Sequence, residues 1–154
     1  MMNTLSFLTA VLIAVTLGLG LASCAKSDDV VTAQDVEQET RELINTLSQY
    51  TANQRDEAVE KAGQALERLD SKIDELETRI DNNWESMSQQ ARQDARANLN
   101  RLREQRSELA GWYDNFRNSS AGAWDEMKKG FTDAYQVMSD SWVNARRAFE
   151  DDDE

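Results

Sequence analysis

Work on a small molecule or a metal ion draws on a short set of side chains, and this sequence of 154 residues holds few of them. It has no histidine, no proline and a single cysteine, Cys24. Without imidazole there is no group that titrates near neutral pH in its ordinary state, and no nitrogen ligand for zinc, copper or iron. General acid and base chemistry would fall to carboxylates and lysines. The best-spaced carboxylates, Asp70, Asp74 and Glu77, are three and four residues apart and so share one helical face. Di-iron bundles built on such carboxylates need Glu-x-x-His pairs, so the trio reads as solvated charge. The run EDDDE at residues 150–154 has neither the loop glycine nor the ligand spacing of an EF-hand, and reads as a solubilising acidic tail. No catalytic residue, cofactor, metal or small-molecule substrate is expected, and the chain reads as a non-enzyme.

Cys24 stands where the apolar stretch VLIAVTLGLGLAS gives way to the polar AKSDD. Residues 1–23 carry no charged side chain, and the apolar core, residues 5–21, is 17 residues long. About 20 are wanted to cross a bilayer, so the run suits a signal peptide whose processing site follows at once. Leu21, Ala22, Ser23 and Cys24 resemble the lipobox of bacterial lipoproteins. The resemblance implies cleavage between Ser23 and Cys24, with fatty acyl chains such as palmitate on the sulfur and amine of Cys24. Its n-region, MMNT, has no Lys or Arg, so the free amino terminus alone supplies the usual positive charge. An uncleaved helical anchor and a buried structural cysteine are the competing readings. A lone cysteine in an exported protein is otherwise a reactive thiol, which acylation removes. Each buried methylene contributes about 0.8 kcal/mol, so several acyl chains hold firmly where one holds marginally. In lipoproteins an Asp after the cysteine goes with retention in the inner membrane. Ala25 stands there, which implies the outer membrane, facing the periplasm.

The 17 basic residues against 29 acidic ones leave a net charge of −12. Phosphate backbones need clustered cations, so nucleic acid is excluded as a partner. One domain is expected at this length. Residues 24–33 read as a short tether, residues 34–149 as a helical coiled-coil domain, and residues 150–154 as the tail.

Apolar residues in that domain recur at three-and-four spacing with no alternating runs, so the fold class is all-α. A first helix runs through Val36, Thr40, Leu43, Ile44, Leu47 and Tyr50. TANQ, at residues 51–54, has the form of a capping box. The second helix keeps a heptad rhythm at Val59, Ala62, Leu66, Leu69, Ile73, Leu76 and Ile80, then continues through Trp84, Met87, Ala91, Ala95, Leu99 and Leu102 with extra steps of four. Either it continues unbroken from Ala52 to Arg117, or it turns near Asn82 and Asn83. Residues 56–81 hold four basic and nine acidic side chains, whereas residues 92–106 hold five and two. Opposite signs favour laying one half on the other, in one chain or between two. FRNSSAGAW, residues 116–124, supplies the next break, with Asn118, Ser119 and Ser120 as candidate caps. A third, aromatic stripe follows at Trp124, Met127, Phe131, Tyr135, Met138, Trp142, Ala145 and Phe149. Arg146 and Arg147 suit the negative end of its dipole.

Two longer stretches, YTANQRDEAVEKAGQALERLDSKIDELETRI and RLREQRSELAGWYDNFRNSSAGAWDEMKKGFTDAY, resemble a family of short bacterial coiled-coil proteins described as stress-responsive and without an assigned activity. The resemblance implies a helical, non-enzymatic envelope or stress protein. The major murein lipoprotein also places a heptad helix after a lipobox, but it joins the cell wall through a C-terminal lysine, and the last lysine here is Lys129.

These readings combine into a membrane-anchored coiled-coil lipoprotein with a structural, interaction or envelope-stress role. It would be held by lipid on Cys24 and leaves open a second copy of itself, or another helical protein, as partner. The alternative is a chaperone-like or lipid-binding bundle that opens to expose its aromatic helix. The expected architecture is an elongated antiparallel coiled-coil hairpin or helical bundle. The aromatic helix should fold back on the second half of helix two, and helix one should cover its first half.

Overall fold

The computed structural model describes residues 31–151, with only the backbone of Asp151. The signal segment, Ser23, Cys24, most of the tether and the end of the tail lie outside the described residues. Four helices form: α1 (Ala33–Gln49), α2 (Arg55–Asn83), α3 (Gln89–Arg117) and α4 (Trp124–Asp151), with a one-turn 3-10 helix (Ala52–Gln54) leading into α2. Among the described residues there is no strand.

Each helix starts and stops for a local reason. Thr32 and Asp35 close a capping box ahead of α1: the Asp35 N–H donates to the Thr32 hydroxyl (3.2 Å) and the Thr32 N–H donates to the Asp35 carboxylate (2.8 Å). This satisfies free N–H groups in the first turn, and it holds the Asp35 carboxyl below its ordinary range. The chain leaves α1 through extended backbone at Tyr50. In the TANQ segment the Gln54 side-chain oxygen accepts from the Thr51 N–H (3.4 Å) and hydroxyl (3.2 Å).

A single helix from Ala52 to Arg117, one of the two outcomes the sequence allows, does not form. The chain turns through residues 84–88, just after the Asn82–Asn83 pair, and Ser88 caps α3 by accepting from the Ala91 N–H at 3.0 Å. Arg92 reaches back across the turn, donating to the carbonyls of Trp84 (2.8 Å) and Glu85 (3.0 Å) and so covering the open end of α2. At the next break Asn118 caps α3, and the buried Ser119 hydroxyl donates to the Phe116 carbonyl at 2.8 Å.

Consecutive helices run antiparallel, giving an up-down-up-down four-helix bundle. The seam between α3 and α4 is the largest contact, as the fold-back predicts. Phe116 lies 4.8 Å from Trp124 and 5.6 Å from Phe131, ring centre to ring centre, and Tyr113 lies 6.1 Å from Phe131. The sequence reading lays α1 on the first half of helix two. The structure shares it between α2 and α4, with α4 taking the greater part. The reason is polar as well as apolar: Thr40 on α1 and Ser139 on α4 are both buried, with hydroxyls 2.7 Å apart, and an apolar stripe alone does not select that neighbour. Arg146 also departs from expectation. Helix α4 continues past it to Asp151, so Arg146 sits within the helix, nearly buried, donating to the Val31 carbonyl (2.7 Å) and pairing with Glu150.

Two helical glycines make a paired test of this packing. A Cβ at Gly130 would stand 2.1 Å from the Trp112 ring, whereas one at Gly111 meets nothing within 4 Å. Gly130→Ala should therefore destabilise the bundle by about 1–3 kcal/mol through overpacking. Gly111→Ala should stabilise it by up to about 1 kcal/mol through helix propensity. Phe131→Ala, at a fully buried ring, should cost about 3–5 kcal/mol. Urea unfolding followed by helical circular dichroism measures all three.

Candidate functional site

Of Asp70, Asp74 and Glu77, the carboxylates best spaced for chemistry, Asp70 and Glu77 pair with arginines of α3. Arg106 grips Asp70 with two nitrogens, Nη2 to Oδ2 at 2.7 Å and Nε to Oδ1, and Arg103 meets Glu77 at 3.0 Å. Asp74 is exposed. The hydrogen bond that Arg106 donates to Asp70 raises the Arg106 pKa above its ordinary value, so this cation stays charged. Both pairs are partly exposed, and pairs of that kind contribute about 0–1 kcal/mol each. Their work is to set the α2–α3 register. Among the described residues no group of three or more acidic or cysteine side chains is placed to hold a metal ion.

The aromatic face of α4 is core. Trp124, Phe131, Tyr135, Met138, Trp142 and Phe149 are all buried. Two of them send their polar tips to the backbone of α2: the Trp142 indole N–H donates to the Lys72 carbonyl (3.0 Å), and the Tyr135 hydroxyl donates to the Ala65 carbonyl (3.3 Å). At the end of α1 the Trp124 indole (3.4 Å) and the Lys128 ammonium (2.9 Å) both donate to the Tyr50 carbonyl. In this closed arrangement no ring of the stripe is presented to a lipid or a client chain.

Two of the surface depressions are lined by a tryptophan. One, of about 370 Å³, lies between α3 and α4 beside Trp112 and is lined by Val137, a large apolar side chain left half exposed. Its rim mixes Glu108, Glu126 and Asp133 with Lys129. The other, of about 460 Å³, lies at the α2–α3 turn, where Trp84, Ile80 and Leu99 meet Arg96, Arg103 and Asp81. Heptad reading counts Trp84 as one more apolar position and misses this cleft. The signal was available as Arg92 and Arg96, one and two helical turns into α3, which both stack near the Trp84 ring, at 5.6 and 4.5 Å.

Among the described residues no helix is long and apolar enough to cross a membrane. Cys24 and Ser23 lie outside those residues, so the structure brings neither to any other group. In comparisons with known proteins, no family model, curated protein or solved structure matches the chain.

Burial pushes the Tyr135 hydroxyl up to about 12 from an ordinary 10.0. The folded state then keeps the neutral phenol while the unfolded chain ionises, so this contribution is complete below pH 10 and is lost as pH rises from 10 to 12. Thermal unfolding over pH 9 to 12 should show a falling midpoint in that window, and Tyr135→Phe should flatten the fall. An unchanged slope in Tyr135→Phe would assign the alkaline loss to other groups.

Proposed function

We propose that this chain is a bacterial lipoprotein of the cell envelope, in which acylated Cys24 anchors a four-helix bundle to the outer membrane on its periplasmic side. Its role is structural or interactive, of the kind met in envelope stress, without catalysis. The observation that carries the reading is the order of parts in the sequence: an uncharged apolar run, then Leu21-Ala22-Ser23-Cys24, then AKSDD.

The position of the first helix supports it. The bundle begins at the Thr32 capping box, eight residues after Cys24 in the sequence. The acidic composition agrees with a bundle whose outer faces stay in water. The resemblance to stress-responsive coiled-coil proteins supplies the biological setting, and the fourfold helical core is one that presents long, rigid, polar faces to partners.

Processing is the direct test. Globomycin, which blocks lipoprotein signal cleavage, should make a larger precursor accumulate in cells expressing the full chain, and radiolabelled palmitate should enter the native protein. Cys24→Ala should lose the palmitate label and move from the membrane to the soluble fraction. Equal labelling of Cys24→Ala, or membrane retention with no precursor under globomycin, would replace this reading with an uncleaved helical anchor.

A further inference from the structure

The cleft at the α2–α3 turn opens over the edge of the core, with the buried Ile80 and Leu99 as its floor and charged groups around its rim. Trp84 is half buried and forms one wall over Ile80 and Leu99. Arg96 and Arg103 stand on the α3 side, Asp81 and Glu85 on the α2 side. The neighbouring arginine, Arg92, is occupied with the last carbonyls of α2, and Arg103 pairs with Glu77. Arg96 is exposed and has no ion pair among the described residues, and its guanidinium lies 4.5 Å from the centre of the indole. A free guanidinium suits a phosphate, carboxylates across from it suit an amine, and an indole over an apolar floor suits a membrane interface. A zwitterionic phospholipid offers those three features together.

The place where the described chain begins selects the same end of the bundle. The Val31 carbonyl accepts from Arg146. Phe149, one helical turn further along α4, lies beneath Arg79 and beside Ile80 and Met87. The tip therefore extends about 10 Å beyond the level of Val31, counting one turn of α4 and one of α2 at 1.5 Å per residue. The opposite end, where Tyr50 meets Trp124, is a full α1 length away, about 25 Å. From Cys24 to Val31 there are seven Cα steps, which reach at most about 25 Å. An anchor at Cys24 leaves the tip at the bilayer with slack, whereas the other end is reached only by a tether stretched to its limit and doubled back. Glu150 stands in the last turn of α4 at this same end, and Asp81 and Glu85 offset Arg96 and Arg103, so the tip offers no net attraction to an anionic surface. The headgroup it suits is neutral as a whole.

We propose that the α2–α3 tip is the end of the bundle that rests on the membrane, with the Trp84 cleft receiving the headgroup of a zwitterionic phospholipid through Arg96 on its phosphate and Asp81 and Glu85 on its amine. This rests on the lipid-anchored reading above. The test uses the acylated full-length protein in vesicles of phosphatidylcholine and phosphatidylethanolamine carrying a headgroup spin label. Flotation on a density gradient is measured first, and tryptophan quenching second. The native protein should float and be quenched. Trp84→Phe should float equally and lose most of the quenching, because Trp124 and Trp142 are buried and Trp112, partly buried, lies against Gly130 toward the opposite end of the bundle. Arg96→Gln, at an exposed position that leaves the fold intact by circular dichroism, should float and show reduced quenching. Replacing the zwitterionic lipid with phosphatidylglycerol should weaken the quenching of the native protein. A protein that floats with identical quenching in the native, Trp84→Phe and Arg96→Gln forms overturns the tip contact and leaves the anchor standing. Stronger quenching on phosphatidylglycerol overturns the zwitterion assignment. Failure of the native protein to float removes the anchor, and the tip contact with it.

Discussion

Phe116 and Phe131 stack 5.6 Å apart across the α3–α4 seam, with planes 14° from parallel, and Trp124 and Tyr135 extend the stack along α4. Rings of this size bury large apolar area, but an interior packed at crystal density must find room for them. The room comes from the facing helices. Across the bundle α2 offers Ala58, Ala62 and Ala65, all buried, and Gly130 lets Trp112 lie against the backbone of α4. The polar tips then fix what volume alone leaves free. Trp142, Tyr135 and Trp124 each donate to a backbone carbonyl of α2 or of the α1 end. Hydrogen bonds are directional, so three of them along one helix set its rotation and its axial position together. The orientation of α1 and α2 follows from that of α4.

Charge does a different job. The acidic first half of the long heptad segment faces its basic second half through Asp70 with Arg106 and Glu77 with Arg103. Exposed pairs of this type are worth little as stability, yet each would be lost, and like charges brought together, if α3 slipped by a turn against α2. They choose among registers whose apolar contacts are nearly equivalent. Lys72 is another matter, since it is buried and meets Glu39 of α1. Glu39 is itself partly exposed, so the contact gives the Lys72 ammonium a partner at the edge of the core and ties α1 to α2 where their apolar contact is slight.

Much of this architecture is legible in the residues. Period fixes the helices, the TANQ and FRNSSAGAW segments mark two of the three turns, and opposite charge argues for folding the long segment on itself. The remaining turn is ambiguous because residues 82–88 contain neither glycine nor proline. What decides it is the sum of a serine cap at Ser88 and an arginine eight residues beyond Trp84 that closes the open carbonyls. The neighbour of α1 is illegible for a similar reason. A stripe tells which face is buried but not against what, and here the answer lies in one hydroxyl pair, Thr40 with Ser139, that polarity scales count as solvent-facing. Arg146 misleads in the same way, reading as a dipole partner at a helix end when it is a buried donor to Val31. The cleft at the tip needed the turn to be known first, because Trp84 and Arg96 belong to different helices.

The two ends of the bundle are built unequally, and the inequality carries a mechanical consequence. At one end two loops are stitched together: Arg55 donates to the Ser119 carbonyl at 2.7 Å, and Trp124 and Lys128 hold the Tyr50 carbonyl. At the other, α1 has already begun below the tip, so α2, α3 and the end of α4 pack there without a fourth helix, around Ile80, Ala91 and Phe149, and Ser88 and Arg92 close the turn. Opening free energy follows buried apolar contact, which makes the tip the softer end. Local opening therefore starts at the tip before it reaches the rings of Phe116, Trp124 and Phe131, which lie at the stitched end. The bundle can therefore yield locally where the chain enters it while the far end keeps its shape.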